Sequence, residues 1–229
     1  MCYHIATPSK KKLTLQFPEQ IIYFQGFENY HISGFERPYV PVTLNNNMDT
    51  ISTARWKLIP YWINNETKAQ QYANTLNAES ESIFEKPTYK NYIEQNRGLL
   101  YVTGFFEPHK VVGLKHTDNY FIYMENKEIF TLGIVYSIFD NVDTGESYPT
   151  FSIITTAANP QLEEIHNTRK RMPLIIAPEH RKKWLSDNNK IDINLIMKPY
   201  QKKLAFHKVY RVTAAKDVLT NIPSIQNPI

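Results

Sequence analysis

Short runs of β-branched and aromatic residues, cut by turn residues before they reach helical length, dominate this chain. Residues 99–106 (LLYVTGFF), 120–124, 129–139 and 151–155 are all of this kind. Such side chains pack well on pleated surfaces, and runs this short suit strands better than helices. Residues 13–17 and 20–27 alternate or run apolar in the same way. Glycine is scarce, at 7 of 229 residues against 15 Tyr and 12 Phe, which adds weight to a rigid, aromatic-rich β-structure. Residues 140–145 (DNVDTG) read as the connection of a hairpin, and 45–47 (NNN) as a loop.

Helical signals are few. Residues 65–76 (NETKAQQYANTL) are polar and rich in helix formers, and predict a short surface helix. Residues 178–186 place Pro178 in a plausible first turn, then Glu179 and a basic later turn, and residues 191–197 suggest another helix. The pattern predicts an α+β fold: a β-rich single domain with a curled, barrel-like mixed sheet and peripheral short helices. No repeat or long linker divides the chain, so one domain over residues 1–220 is expected, with 221–229 as an extended C-terminal tail.

A net charge of +4 mildly favours a polyanionic partner without establishing one. No apolar run approaches the ~18 residues needed to span a bilayer, and the N-terminus lacks the basic start and apolar stretch of a secretory signal. A cytoplasmic protein is expected. A lone cysteine excludes an intrachain disulfide and a cysteine-based zinc site. His31, His109, His116, His180 and His207 lack metal-ligand spacing, so neither a metal nor a cofactor is expected.

That one cysteine is Cys2. A small residue at this position favours removal of Met1, which would leave an α-amine and a thiol on adjacent carbons. The amine condenses with an aldehyde and the thiol closes the adduct into a five-membered thiazolidine. Both groups work near neutral pH, since an α-amine titrates near ~8 and a thiol near ~8.5.

Polar groups beside apolar strands recur at Cys2-Tyr3-His4, at Asn77-Ala78-Glu79, at Gly104-Phe105-Phe106-Glu107-Pro108, and from Thr155 through Asn159 to His166 and Arg171-Met172-Pro173. With Arg55-Trp56-Lys57-Leu58-Ile59-Pro60-Tyr61-Trp62, these ordered segments resemble the SOS-response-associated-peptidase (SRAP) family of abasic-site-processing proteins over most of the chain. The resemblance implies binding of single-stranded DNA and covalent capture of the ring-opened abasic aldehyde. Cys2 would be the nucleophile, Asn77 would orient the amine or a sugar oxygen, Glu107 would be the acid/base, and His166 would shuttle a proton. It also implies self-processing of the N-terminus by a thiol-peptidase activity, with lyase activity as a further expectation. A monomer, associated with the nucleoid when bound to DNA, is expected.

The residue types also suit the chemistry independently, because condensation and ring closure each move protons. A glutamate following an apolar strand is expected to have a raised pKa through partial desolvation. Three departures from the family pattern stand out. His4 and Glu79 occupy positions where arginines that contact phosphate are usual, and Asn167-Thr168-Arg169-Lys170 separates His166 from Arg171. This stretch is either a looped insertion that leaves His166 at the site or a sign that Glu107 acts alone. Arg169 and Arg171 are candidate phosphate contacts that compensate, and Arg55 with Trp56 would suit phosphate contact plus stacking, although Trp56 and Trp62 equally suit core packing. The alternatives are an N-terminal-nucleophile cysteine amidohydrolase acting in trans and a non-catalytic single-strand-binding module.

Overall fold

Where a strand is buried on both faces its sequence stops alternating, and the longest apolar runs here mark the walls of a small barrel. The computed structural model describes residues 2–113, 117–186, 188–212 and 219–229; His116 lies outside them. In chain order the elements are β1 (His4–Thr7), α1 (Lys10–Gln16), β2 (Ile21–Ile22), β3 (Asn29–Ser33), β4 (Tyr39–Leu44), β5 (Asn47–Trp56), α2 (Glu66–Gln71), β6 (Asn77–Glu79), α3 (Pro87–Lys90), β7 (Arg97–Val102), β8 (Gly104–Lys110) and β9 (Thr117–Met124). There follow β10 (Phe130–Asp140), β11 (Ser147–Ala157), α4 (Pro160–Ile165), β12 (Arg171–Pro173), β13 (Ile175–Ile176), α5 (Arg181–Ser186), α6 (Lys190–Ile196) and β14 (Leu204–Val209).

Strands β11, β10, β7, β4 and β5 are neighbours in that order, and a parallel pairing of β5 with β11 closes the ring. The result is a closed five-stranded mixed barrel. A second, five-stranded sheet in the order β14-β9-β8-β1-β3 packs over it. One core joins barrel residues Val42, Trp56, Leu100, Leu132 and Phe151 to Cys2, Ile5, Phe105, Ile122 and Leu204 of the covering sheet and its approach. The outer faces of β7, β10 and β11 carry Leu99, Val135 and Ile154, which pack against Tyr89, Trp184 and Ile193 from the short helices and Ile93 from the turn after α3. Two-sided burial explains why these runs read as continuous apolar segments. The β-rich α+β architecture expected from the sequence is the one observed.

Several local expectations change. Residues 13–16 lie in helix α1, with Phe17 as its C-cap, and do not form a strand. Ser9 caps this helix by accepting from the Lys12 N–H, and Leu13 and Phe17, four residues apart, face inward while Leu15 is 74% exposed. The Leu-Thr-Leu alternation is therefore one apolar helical stripe plus a solvent-facing leucine. The run 99–106 is two strands: β7 enters the barrel, Thr103 donates its N–H to the Ala6 carbonyl, and β8 continues in the covering sheet. Strand β5, a missed element, pairs with β4 through a tight turn at 45–46. The helix predicted over 65–76 is confined to Glu66–Gln71, capped by the Asn65 side chain. The segment expected as an extended tail contains a 3₁₀ turn at Pro223–Gln226 with Ile225 buried, and Asn221 accepts from the N–H groups of Tyr30 and His31. Among the described residues no helix is long and apolar enough to cross a membrane.

Gly104 begins β8 where the two sheets meet. A Cβ there would lie 2.3 Å from the Phe121 ring and 2.8 Å from the Ile122 carbonyl oxygen. Gly104→Ala is expected to cost about 1–3 kcal/mol by overpacking, read as a lower urea midpoint at unchanged m.

Candidate active site

The covering sheet brings the chain start to Glu107. β1 pairs with β8 in the register His4↔Phe106 and Ile5↔Phe105, so the start of β1 runs alongside the residues that follow Phe106. Glu107 lies on the same face of β8 as Phe105, the face directed into the main core. Its carboxyl is buried, and neither oxygen has a hydrogen-bond partner among the described residues. Burial pushes its pKa up to about 7.

His166 ends α4, its N–H donating to the Leu162 carbonyl. Its Nδ1 lies 3.0 Å from the Arg171 carbonyl oxygen and 3.5 Å from Glu107 Oε2. A carbonyl only accepts, so Nδ1 carries the proton and Nε2 of the neutral ring is the basic nitrogen. Burial lowers the His166 pKa to about 4. At neutral pH its contact with Glu107 therefore joins a neutral imidazole to a carboxyl that is half protonated, not two full charges.

The residues between His166 and Arg171 loop out. Lys170 N–H returns to the His166 carbonyl, and the Asn167 side chain clamps Lys110, accepting from its N–H at 3.0 Å and donating to its carbonyl at 2.9 Å. His166 thus reaches Glu107 despite the longer spacing.

Cys2 is fully buried at the edge of the same cluster. Desolvation raises its thiol pKa well above the ordinary value, and the Glu107 charge raises it further. Tyr3 lies within electrostatic reach of Arg169, Glu107, Cys2 and Glu79. Asn77 shares one face of β6 with Glu79, and both polar atoms of its side chain are buried without a partner among the described residues. Tyr3, Phe35, Glu107, His166 and Arg169 line a cavity of about 300 Å³. Unpaired buried polar groups cost ~1–3 kcal/mol each, so Asn77 and Glu107 are maintained against stability.

The four candidate DNA contacts diverge. Arg169 is exposed at the cavity rim and makes no hydrogen bond or ion pair among the described residues. Arg171 is engaged, with Glu81 at 2.7 Å and the Thr155 carbonyl at 2.7 Å. Arg55 forms a two-pronged pair with Glu66 at 2.7 and 2.9 Å and donates to the Tyr148 hydroxyl at 2.8 Å. Trp56 is fully buried, donates to the Leu76 carbonyl and stacks on Phe151, so it has no face for a base. The exposed aromatics follow it: Tyr61 at 66% and Trp62 at 43%. Consecutive aromatics just after Pro60 were the available signal for them.

His4, where the resemblance places an arginine, stacks on His31 and lies 3.0 Å from it, Nδ1 to Nε2. Burial lowers both to about 4. Glu79 pairs with Lys86 at 3.3 Å.

Comparison with known proteins identifies the fold and the family. A solved structure of a protein from Bacteroides thetaiotaomicron superposes with a TM-score of 0.87 at 29% identity, covering 100% of both chains. One from Bordetella bronchiseptica shares the fold at a TM-score of 0.77 and 18% identity, covering 92% of this chain and 100% of that one. Abasic site processing protein YoaM of Bacillus subtilis (strain 168) is 31% identical over 137 residues, 59% of this chain and 56% of that protein. Abasic site processing protein HMCES of Gallus gallus is 26% identical over 215 residues, 84% of this chain and 62% of that protein. The chain thus spans less than two thirds of the length of these curated relatives. The sequence model of the family described as SOS response associated peptidase (SRAP) matches residues 1–215. The chain belongs to the SRAP family.

Proposed function

We propose that the chain processes abasic sites in single-stranded DNA by capturing the ring-opened aldehyde on Cys2, present as the first residue with a free α-amine. The amine adds to the aldehyde carbon to give a carbinolamine, which loses water to form an imine. The thiol then adds to the imine carbon, its proton passing to Glu107 while the nitrogen takes back from His166 the proton it released, and the thiazolidine closes. One water leaves overall.

The observation that carries this reading is a buried carboxyl with a pKa of about 7, 3.5 Å from a neutral imidazole and close enough to Cys2 for its charge to act on the thiol. Protonated Glu107 supplies the proton that the departing hydroxyl needs. Its carboxylate then receives the proton that the thiol gives up. Nε2 of His166 takes the proton released by the attacking amine. Positioned groups of this kind are worth ~10²–10⁴-fold in rate. The names of the relatives support the substrate, and the same Cys–Glu–His set suits hydrolysis of the amide ahead of Cys2, which would free the amine.

Incubation with an oligonucleotide carrying one abasic site is expected to give a denaturation-resistant adduct, with an intact mass matching loss of residue 1 and of one water. Cys2→Ala should abolish it; an equally stable adduct from that variant overturns the mechanism. Glu107→Gln should slow adduct formation by about 10²–10⁴-fold and remove the fall in rate as pH rises through 7.

The same substitution should stabilise the fold. Glu107 binds its proton more tightly folded than unfolded, so its contribution is present below about pH 4.3 and is lost as pH rises through about 7. Glu107→Gln is therefore expected to match the parent near pH 4.5 and to exceed it by roughly 2–3 kcal/mol at pH 8, measured by urea titration at the two pH values.

A further inference from the structure

A second cavity, of about 210 Å³, adjoins the first and is lined by Phe35, Arg37, Lys57, Gln70, Tyr72 and Leu76. Phe35 lines both, so one ring, 59% exposed, stands between them. Two cations meet in this recess. The Arg37 guanidinium makes no hydrogen bond or ion pair among the described residues. Lys57 is buried, and among the described residues its amine donates only to the Tyr72 carbonyl, at 3.3 Å. Burial lowers the proton affinity of that amine, and the charges of Arg37 and Arg55 lower it further, against a smaller opposing effect from Glu66. Glu66 is itself already held by Arg55.

Both residues also have backbones that favour glycine. Arg37 has a φ of 54° and Lys57 a φ of 154°. Arg37 closes the 3₁₀ turn Gly34–Glu36 as its left-handed cap, donating its N–H to the Gly34 carbonyl, and the Lys57 N–H is held by the Phe151 carbonyl at the barrel seam, so the surrounding structure fixes both cations in place. Two cations meeting in one half-buried recess, with no acid among the described residues that line it, form a site short of an anion.

The rim indicates which anion. Tyr72 meets Trp62 edge-on at 6.4 Å, and Trp62 meets Tyr61 at 5.2 Å, so exposed rings continue away from Phe35. Cations beside a line of aromatic faces suit a strand of nucleotides, with phosphates on the charges and bases on the rings. We infer that the Arg37–Lys57 recess is a phosphodiester subsite for the nucleotide next to the abasic sugar, with Phe35 as the divider between the two. This rests on the proposed function. It also offsets the neutral His4 and the acidic Glu79 at positions where the family pattern has cations.

The test is binding of undamaged single-stranded oligonucleotide, followed by fluorescence anisotropy across a salt series, with abasic-adduct formation measured in parallel on the parent protein. Lys57→Gly should raise Tm by about 2–4 °C through relief of strain while weakening DNA binding, and should flatten the log Kd against log salt slope by about 0.7. Arg37→Gly should flatten it by a similar amount, and the two changes together by about 1.4. Lys11→Gln, on the exposed face of α1, is the charge-matched control and should keep the parent slope. A Lys57→Gly slope equal to that of the parent or of the control overturns the subsite, even if adducts form normally. A flattened slope in a protein that forms no abasic adduct retains the subsite and overturns the capture reaction.

Discussion

The short parallel contact that closes the barrel holds the rest of the structure in place. Arg55 and Trp56 on β5 sit opposite Thr150 and Phe151 on β11, and the Lys57 N–H continues the contact by donating to the Phe151 carbonyl. Trp56 is committed to it, with its ring stacked on Phe151 at 6.3 Å. That ring leaves no space above Gly34, whose Cβ would lie 3.0 Å from it, and Gly34 in turn donates its N–H to the Tyr3 carbonyl. The chain start, with Cys2, and Phe35 are therefore stacked on the barrel seam. A change at the seam is felt at the site without any contact to substrate.

The site itself opposes stability. Glu107 and Asn77 keep four polar side-chain atoms buried without a hydrogen-bond partner among the described residues. Residues 104–107 sit in a sheet that packs directly on the main core, so the surroundings hold the carboxyl in place while withholding water from it. A carboxyl exposed on a loop would titrate in its ordinary range and be fully ionised at neutral pH, unable to donate a proton. In the proposed reaction desolvation supplies the acid, and the packing of the core sustains that desolvation.

Much of this was legible in the chain. β10 and β11 are long enough, and apolar enough on both faces, to identify themselves, and of the side chains singled out by the resemblance Glu107 and His166 lie 3.5 Å apart. The failures have physical reasons. α1 carries only one stripe of leucine and phenylalanine, which over seven residues looks like strand alternation. β5 is rich in Thr, Ser and Asn and gains its strand character from pairing with β4, a long-range fact that no local pattern carries. Trp56 and Trp62 are separated by six positions and have similar local composition, yet one is sealed in the seam and the other faces solvent. Only closure of the barrel decides between them. Arg55 is adjacent to a tryptophan in sequence but committed in space to Glu66, from an element eleven residues on.

The clamp of Asn167 on Lys110 gives the site an evolutionary freedom. By binding both the N–H and the carbonyl of a strand residue, one side chain imitates a neighbouring strand and fixes the chain immediately after His166. Downstream, pairing of β12 with β11 fixes it again at Arg171. The segment between these anchors is held at both ends, so residues can be added or lost there with the imidazole unmoved. The place of the imidazole is thus set by the two anchors and not by the number of residues between this histidine and the Arg-Met-Pro element.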